Sequence, residues 1–172
     1  MQAITDNSLY WAKTDKDAII PTKSDENAGY DIYANLKEDY IVIPPHKTKL
    51  IPTGIACAIG EDYYLQVQER GSTGSKGIKY GAGVIDSGYR GEIFIAITNV
   101  NDICLYIIKE GVDYTKIDSL TYTGGIIYPA SKAIAQLIVH NVPKMEPKTI
   151  EYEELLNIPS KRGTGSLGST GK

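Results

Sequence analysis

Residues 92–98 read Glu-Ile-Phe-Ile-Ala-Ile-Thr, and this stretch decides the fold class. Isoleucine occupies positions 93, 95 and 97, so one face of an extended chain is apolar along its whole length. Strict alternation with a period of two is typical of a half-buried β-strand. The pattern recurs at 63–68, and residues 50–59 and 133–139 predict further strands. Only residues 150–157 hint at a helical turn.

Turn-forming residues separate these short segments. Pro44-Pro45 and the glycines at 60, 71, 83 and 91 interrupt the chain, and neither βαβ alternation nor an internal repeat is present. This pattern predicts an all-β fold of the jelly-roll-like β-barrel kind. We expect one domain over residues 1–160 and a glycine-rich C-terminal arm over residues 161–172, mobile without a ligand.

Residues 101–131 form a predicted insertion within that domain. Two apolar runs, 103–108 and 120–128, lie in it, and the second contains the turn signal Gly124-Gly125. The simplest interpretation is a surface β-hairpin.

Composition narrows the class of ligand. The net charge is −3 and the 18 basic residues are scattered, which excludes a basic stripe for gripping a long nucleic acid. A small, highly charged ligand held by a few arginines remains compatible. No leader pattern or long apolar run is visible, so we expect a soluble intracellular protein without a membrane segment. Cys57 and Cys104 lack metal-ligand spacing and predict buried thiols.

Residues 83–91, Gly-Val-Ile-Asp-Ser-Gly-Tyr-Arg-Gly, combine one acid and one aromatic ring between glycines. Glycine allows a backbone to approach a flat ligand, so a tight β-hairpin here could read the edge of a base. Asp86 would then hold a water and Tyr89 would cover a sugar. The motif alone is more typical of an ordinary hairpin with a solvated aspartate.

Two further segments place an arginine before glycines and hydroxyl groups. Residues 70–77 read Arg-Gly-Ser-Thr-Gly-Ser-Lys-Gly. Residues 162–171 likewise begin with an arginine, Arg162, and continue with glycines, serines and threonines. Successive backbone N–H groups beside a guanidinium suit a phosphate chain, although the Walker order is absent. A plain polar loop is the alternative for the first segment. The second segment would be a lid that closes over a substrate.

Two polar residues stand in apolar strands. Gln136 lies within residues 133–138, where an unpaired amide would be costly, so either a ligand or a backbone group must satisfy it. Asp31 lies within residues 28–34 and either orients a metal-bound water or anchors a turn.

Together, segments 28–34, 70–77, 83–91, 133–138 and 162–171 resemble, in order, the five motifs of the homotrimeric dUTP pyrophosphatases (dUTPases). The resemblance implies a jelly-roll subunit, a homotrimer with active sites shared between chains, and an arm that closes a neighbour's site. It also implies Mg²⁺-dependent hydrolysis of dUTP, with no nucleic-acid partner.

The resemblance also implies roles for individual residues. Asp86 matches the acid that activates water, Tyr89 the ring on deoxyribose, and Asp31 a residue that supports magnesium indirectly through water. Backbone at Gly83, Val84, Ile85 and Phe94 matches the segment that reads uracil. The remaining matched substrate-binding residues are Arg70, Gly71, Ser72, Gln136, Arg162, Leu167, Gly168 and Ser169.

Three features depart from the family pattern. Gly71 stands where the family usually has serine, and Leu167 stands where an aromatic ring stacks on uracil. Stacking is typically worth about 1–3 kcal/mol, so leucine should weaken binding of the base. The 101–131 segment is longer than usual, as in some phage members.

Two alternative functions remain open at this stage. The related dCTP deaminases carry a glutamate base where this chain has Ala96, which disfavours deamination. The other alternative is a regulatory binding protein whose 101–131 segment docks a protein partner, with the nucleotide as the switch.

Overall fold

Short β-strands make up most of the computed structural model, which describes residues 4, 7–117, 120 and 123–165. In that part of the chain the strands are β1 (Leu9–Lys13), β2 (Gly29–Ile32), β3 (Tyr40–Ile43), β4 (Thr48–Pro52), β5 (Ile55–Ile59), β6 (Tyr63–Gln68), β7 (Ile78–Gly81), β8 (Val84–Ile85), β9 (Phe94–Asn99), β10 (Leu105–Ile108), β11 (Ile126–Pro129) and β12 (Ala135–Asn141). The helical elements are α1 (Gly71–Gly74), a 3₁₀ turn (Tyr114–Lys116) and α2 (Tyr152–Leu156). The all-β prediction is confirmed.

The strands form four small sheets. Their orders are β1-β5, β11-β10-β3, β2-β12-β6-β8 and β4-β9-β7. Isoleucine side chains from several sheets meet in one core, and Ile43, Ile51, Ile55 and Ile95 are fully buried there. Burial of so many branched side chains is the main force that holds the small sheets together.

The alternation that decides the fold class is visible in β9. Ile95 and Ile97 are buried, whereas Phe94 is 45% exposed on the opposite face. In β6, Leu65 and Val67 are likewise buried. The period of two therefore corresponds to one core face and one outer face of each strand.

The segment 50–59 is not one strand, as the sequence suggests, but two. β4 pairs with β9 and β5 pairs with β1, so the chain changes sheets at Thr53-Gly54. Gly54 has φ +65°, and a Cβ there would lie 2.5 Å from Asn35 Nδ2. Only glycine fits this corner, which explains why the apolar run is broken at this point.

The prediction of a surface β-hairpin at 101–131 is wrong. β10 and β11 pair in parallel, and β10 also pairs antiparallel with β3, so β10 is the central strand of its sheet. Parallel neighbours need a long crossover, which the residues between 108 and 126 supply. All four residues of β10 are buried, because two of its side chains enter the main core and two enter a smaller cluster with Ile117 and Leu120.

Gly124-Gly125, which suggested a hairpin turn, has another role. A Cβ on Gly125 would lie 2.5 Å from Tyr106 Cε2 and 2.9 Å from the carbonyl oxygen of Cys104. The second glycine is therefore needed for close packing of the crossover on β10.

The chain divides into two compact units, Met1–Val142 and Pro143–Lys172. The second unit contains α2, which confirms the helical turn expected at 150–157. Its larger apolar side chains, among them Tyr152, Leu155 and Ile158, are more than half exposed. The predicted arm boundary at residue 160 stays a prediction. None of the helices in the described residues has the length and apolar character of a membrane span.

Candidate active site

Four of the predicted site residues, Asp31, Val84, Ile85 and Gln136, lie on the sheet β2-β12-β6-β8. Asp31 on β2 is paired with Gln136 on β12, which in turn is paired with Gln68 at the end of β6. Arg70 lies two residues after the end of β6. Asp86 follows β8 directly, and β8 is paired with Leu65 and Gln66 of β6. One sheet therefore positions both the acid and the arginine that the sequence singles out.

Asp86 lies in a tight turn whose hydrogen bonds are local. The N–H of Tyr89 donates to the carbonyl oxygen of Asp86 at 3.0 Å, and Arg90 Nη1 donates to the carbonyl oxygens of Ser87 and Tyr89 at 2.5 and 2.8 Å. The Asp86 side chain is exposed to solvent. The flanking strands β8 and β9 belong to different sheets, so the predicted two-stranded hairpin is wrong and the segment is a loop between sheets.

The Tyr89 ring covers glycine. Its hydroxyl donates to the carbonyl oxygen of Glu92 at 2.8 Å. A Cβ on Gly91 would lie 2.5 Å from the Tyr89 hydroxyl oxygen, so the ring rests against bare backbone. A pocket of about 220 Å³ lies beside this ring and is lined by Ala82, Val84, Ile85, Asp86, Tyr89, Glu92, Ile93 and Phe94. It is concave and partly apolar, as a site for a nucleoside requires.

Sequence reasoning missed Glu92 as a support of this pocket. Glu92 Oε1 accepts hydrogen bonds from the backbone N–H of Thr53 at 3.1 Å and of Gly54 at 2.8 Å. The side chain thus joins the loop to the corner between β4 and β5, 38 residues away. Its position directly after the glycine-flanked segment was a signal, but its partners lie too far along the chain to be inferred.

Arg70 and Asp31 form a two-point ion pair. Arg70 Nε lies 2.9 Å from Asp31 Oδ1, and Nη2 donates to Oδ2 at 3.1 Å. Each side chain is 31% exposed. This bidentate geometry fixes the plane of the guanidinium group. Asp31 therefore anchors the arginine, which the sequence did not indicate.

The segment after Arg70 is a single helical turn rather than a glycine-rich loop. The N–H groups of Thr73 and Gly74 donate to the Arg70 carbonyl oxygen, at 3.0 and 2.9 Å. Thr73 is buried, whereas Gly71 and Ser72 are exposed. A pocket of about 370 Å³ adjoins this turn and is lined by Asn27, Ala28, Gly29, Asp31, Arg70, Gly71, Ser72 and Gln136.

The side-chain amide of Gln136 is hydrogen-bonded to the backbone. Its Nε2 donates to the carbonyl oxygen of Glu69 at 2.8 Å, which decides between the two alternatives that the sequence left open. A Cβ on Gly29 would lie 2.8 Å from Gln136 Oε1, so glycine makes room for this side chain. Gln136 thereby holds the residue that precedes Arg70.

Two tyrosines near Arg70 were also missed. Tyr80 donates its hydroxyl to the carbonyl oxygen of Ile134, and Tyr128 donates to that of Ala133 at 2.7 Å. Burial raises the pKa of Tyr80 to about 12, partly offset by a hydrogen bond to Thr73. Both tyrosines support the residues immediately before β12.

The acid and the arginine lie apart within one chain. Because Ile85 is paired with Leu65, Asp86 follows on toward the start of β6, whereas Arg70 lies beyond its other end. Leu65 lies three residues before the end of β6 at Gln68, about 10 Å along the strand, and Arg70 follows two residues later. The predicted site residues therefore form two pockets in the chain, not one.

Arg162 lies in the second unit and interacts with its own segment. Its Nε donates to the carbonyl oxygen of Gly165 at 2.9 Å, and its N–H donates to Ser160 Oγ at 3.3 Å. Gly163 has φ +54° in this turn. The other predicted closing residues, Leu167, Gly168 and Ser169, lie outside the described residues.

The acidic and histidine side chains form no compact metal cage within the described residues. No group of three or more His, Cys, Asp or Glu side chains is close enough there to hold an ion. Mg²⁺ commonly binds through one or two carboxylates together with substrate phosphates and waters.

The comparisons with known proteins identify one family. The dUTPase family model matches residues 15–111. The deoxyuridine 5′-triphosphate nucleotidohydrolase of Candida albicans is 34% identical over 155 residues, covering 89% of this chain and 81% of that protein. The protein of the same name from Nautilia profundicola is 34% identical over 164 residues, covering 93% and 96%.

A solved structure shows the same fold. The Staphylococcus bacteriophage 80alpha dUTPase with dUPNHPP superposes with a TM-score of 0.73 at 23% identity, covering 95% of this chain and 98% of that one. The fold is therefore all-β and jelly-roll-like. The family model and the curated relatives define a nucleotide hydrolase. The chain belongs to the dUTPase family, the dUTP diphosphatases.

The family match ends at residue 111, after β10 and before β11. The insertion predicted at 101–131 stays a prediction.

Proposed function

We propose that the chain hydrolyses dUTP to dUMP and pyrophosphate, which keeps uracil out of DNA and supplies dUMP. Water attacks the α-phosphorus, Asp86 accepts a proton from that water, and the bond to the bridging oxygen of the β-phosphate breaks. Pyrophosphate leaves and no covalent intermediate forms. Asp86 then returns its proton to solvent.

The observation that carries this proposal is the pocket at Asp86. Asp86, which is exposed, and Tyr89, which is 45% exposed, both line this concave surface. An aspartate is ordinarily ionised at neutral pH and can act as a general base. We assign the Tyr89 ring to the deoxyribose, where a 2′-hydroxyl would meet it and be rejected.

The uracil-binding part of the proposal rests on the neighbouring backbone. Val84 and Phe94 are exposed, at 58% and 45%, and both line the pocket with Ile85. Gly83 accepts a hydrogen bond from the Val67 N–H at 2.7 Å, which anchors the start of the segment to β6. Backbone N–H and C=O groups held in this way can discriminate a pyrimidine edge.

We assign the phosphates to the pocket at Arg70. Arg70 offers a fixed positive charge, and exposed Gly71 and Ser72 lie next to it. Gln136 takes part through the backbone that it holds. Positioning and charge neutralisation dominate phosphoryl transfer, so Arg70 and Arg162 are expected to stabilise the developing negative charge. Leu167, Gly168 and Ser169 complete the closing arm in this proposal.

The separation of the two pockets supports a shared site. A triphosphate whose α-phosphorus meets Asp86 has its other phosphates close by, whereas Arg70 lines a different pocket of the same chain. A homotrimer solves this problem, because the Asp86 pocket of one chain can face the Arg70 pocket of another. The arm of a third chain would then close the site.

Magnesium fits the phosphate side of this arrangement. Bound to the triphosphate, it would neutralise phosphate charge and orient the chain of phosphates. Asp31 is engaged by Arg70 through both oxygens, yet each oxygen retains a second lone pair for a metal-bound water. Its role toward the metal is thus indirect.

The fold limits the surface of segment 101–131 that the proposed protein partner could contact. β10 is buried in the core, so a partner would meet the crossover, where the Tyr114 ring is 50% exposed. This docking role and the regulatory alternative remain proposals beside hydrolysis.

One assay tests the proposed function. Pyrophosphate release should be confined to dUTP in a panel with dTTP, dCTP and UTP in the presence of Mg²⁺. Asp86→Asn should lower kcat by about 10²- to 10⁴-fold and leave nucleotide binding nearly unchanged. Normal turnover by Asp86→Asn would refute the role of Asp86. Ammonia release from dCTP would instead favour deamination, although Ala96 offers no acid for it.

A further inference from the structure

One backbone carbonyl joins the crossover that leads into β11 to the phosphate pocket. The carbonyl oxygen of Ala133 accepts a hydrogen bond from the Tyr128 hydroxyl at 2.7 Å and another from Arg70 Nη1 at 3.2 Å. Tyr128 and Ala133 are 2% and 3% exposed. A carbonyl oxygen has two lone pairs, so both bonds can exist together. Tyr128 belongs to β11, which lies outside the family match.

The bond to Ala133 is the third attachment of the Arg70 side chain. Nε and Nη2 are held by Asp31, and Nη1 is held by Ala133. Two points on one edge leave a planar guanidinium able to rock about that edge, whereas a third point on another nitrogen stops this motion. Of its five N–H donors, these contacts use three, and the other two suit a phosphate.

Tyr128 is well placed to fix the position of that carbonyl. The ring is buried on β11, where Tyr128 is paired with Ile107 of the central strand β10. The turn between Tyr128 and Ala133 is closed by the Lys132 N–H, which donates to the Pro129 carbonyl oxygen at 3.0 Å. The next residue, Ile134, is already held by β2 through its N–H and by Tyr80 through its carbonyl. Ala133 thus depends on Tyr128 for its own anchor.

We infer that Tyr128 is a positioning residue for Arg70, acting through the Ala133 carbonyl. The crossover therefore supports the phosphate pocket of its own chain. This inference deepens the proposed function and rests on Arg70 contacting the phosphates of the substrate. It gives the crossover that leads into β11 a role in the reaction that requires no partner protein.

The variant Tyr128→Phe removes only the hydroxyl. We expect kcat/KM for dUTP to fall by about 3- to 10-fold, as the loss of one supporting hydrogen bond would cause. Inhibition by deoxyuridine, which has no phosphates, should stay unchanged. The control is Tyr63→Phe, which loses a hydroxyl bond to Asn7 Oδ1 at 2.8 Å, at the opposite end of β6 from Arg70. Its kcat/KM should remain within about twofold of the starting protein.

A double-mutant cycle separates positioning from general loosening. In an Arg70→Lys background the fork that reaches Ala133 is absent, so adding Tyr128→Phe should have no further effect. An equal loss in both backgrounds, an equal loss in Tyr63→Phe, or weaker deoxyuridine inhibition would overturn the inference.

A binding readout keeps the inference separate from the proposed function. Calorimetric binding of inorganic triphosphate should weaken in Tyr128→Phe by the same factor as kcat/KM. If the unmodified protein does not hydrolyse dUTP, the proposed function fails, and this binding measurement still decides the inference. If the unmodified protein is active and Tyr128→Phe matches it in turnover and triphosphate binding, the inference alone fails.

Discussion

Two isoleucines of the 101–131 segment provide a paired test of how that segment is used. Ile107, in the central strand β10, is 1% exposed, whereas Ile103, four residues earlier and outside a strand, is 46% exposed. Both are changed to alanine, so the chemistry of the two substitutions is identical. The only difference is the environment that the fold gives to each side chain.

The expected cost follows from burial. Truncating a fully buried isoleucine to alanine removes its transfer free energy and leaves a cavity, which together cost about 2–5 kcal/mol. Ile103→Ala should cost less than about 1 kcal/mol, because its side chain is already half in water. For a chain of this length the larger cost corresponds to a fall in Tm of about 5–15 °C.

Urea unfolding measures both variants. The sole tryptophan, Trp11, packs edge-on against Tyr30 with ring centroids 5.7 Å apart, so its fluorescence reports the loss of tertiary structure. All samples need the same protein concentration, because assembly adds to the apparent stability. Similar small losses for Ile103→Ala and Ile107→Ala would mean that the segment is peripheral, and the assignment of β10 to the core would be refuted.

Three further expectations concern single residues. Tyr80 is neutral in the folded chain, and its pKa is raised from 10.0 to about 12. Its contribution to the free energy of unfolding is therefore complete below pH 10 and is lost as the pH rises toward 12. Tyr80→Phe should flatten this part of the stability curve, and an unchanged slope from pH 9 to 12 would contradict the expectation. A Cβ on Gly71 meets no atom within 4 Å, so Gly71→Ser should fold normally. We expect a lower KM for dUTP in this variant, because it restores the hydroxyl that the family usually has at this position. An unchanged KM would refute that expectation. Gly125→Ala should cost about 1–3 kcal/mol because of the clash with Tyr106, whereas Gly81→Ala, with open space around it, serves as the control in the same urea experiment.

Local patterns predicted local structure well. The isoleucines at 93, 95 and 97 identified a strand because a period of two depends only on neighbouring residues. The same reasoning could not supply the partner of a strand or its direction. The runs in 101–131 suggested a hairpin because parallel and antiparallel strands share one alternation pattern, and only the long crossover distinguishes them.

For the candidate site, the sequence likewise predicted individual residues but not their contacts. Segment spacing and residue type pointed to Asp86, Tyr89, Arg70 and Gln136, but their partners were out of reach of sequence reasoning. Arg70 meets Asp31 across 39 residues, and Gln136 meets Glu69 across 67. Such contacts depend on strand register, which is fixed only when the whole core forms.

The position of β12 has a consequence for synthesis of the chain. This strand lies between β2 and β6, although it leaves the ribosome more than sixty residues after either of them. Until it arrives, the nascent polypeptide presents two unpaired strand edges of the kind that invite aggregation. Asp31 and Arg70 are carried by the two strands that β12 bridges, so the anion pocket is among the last parts of the molecule to mature.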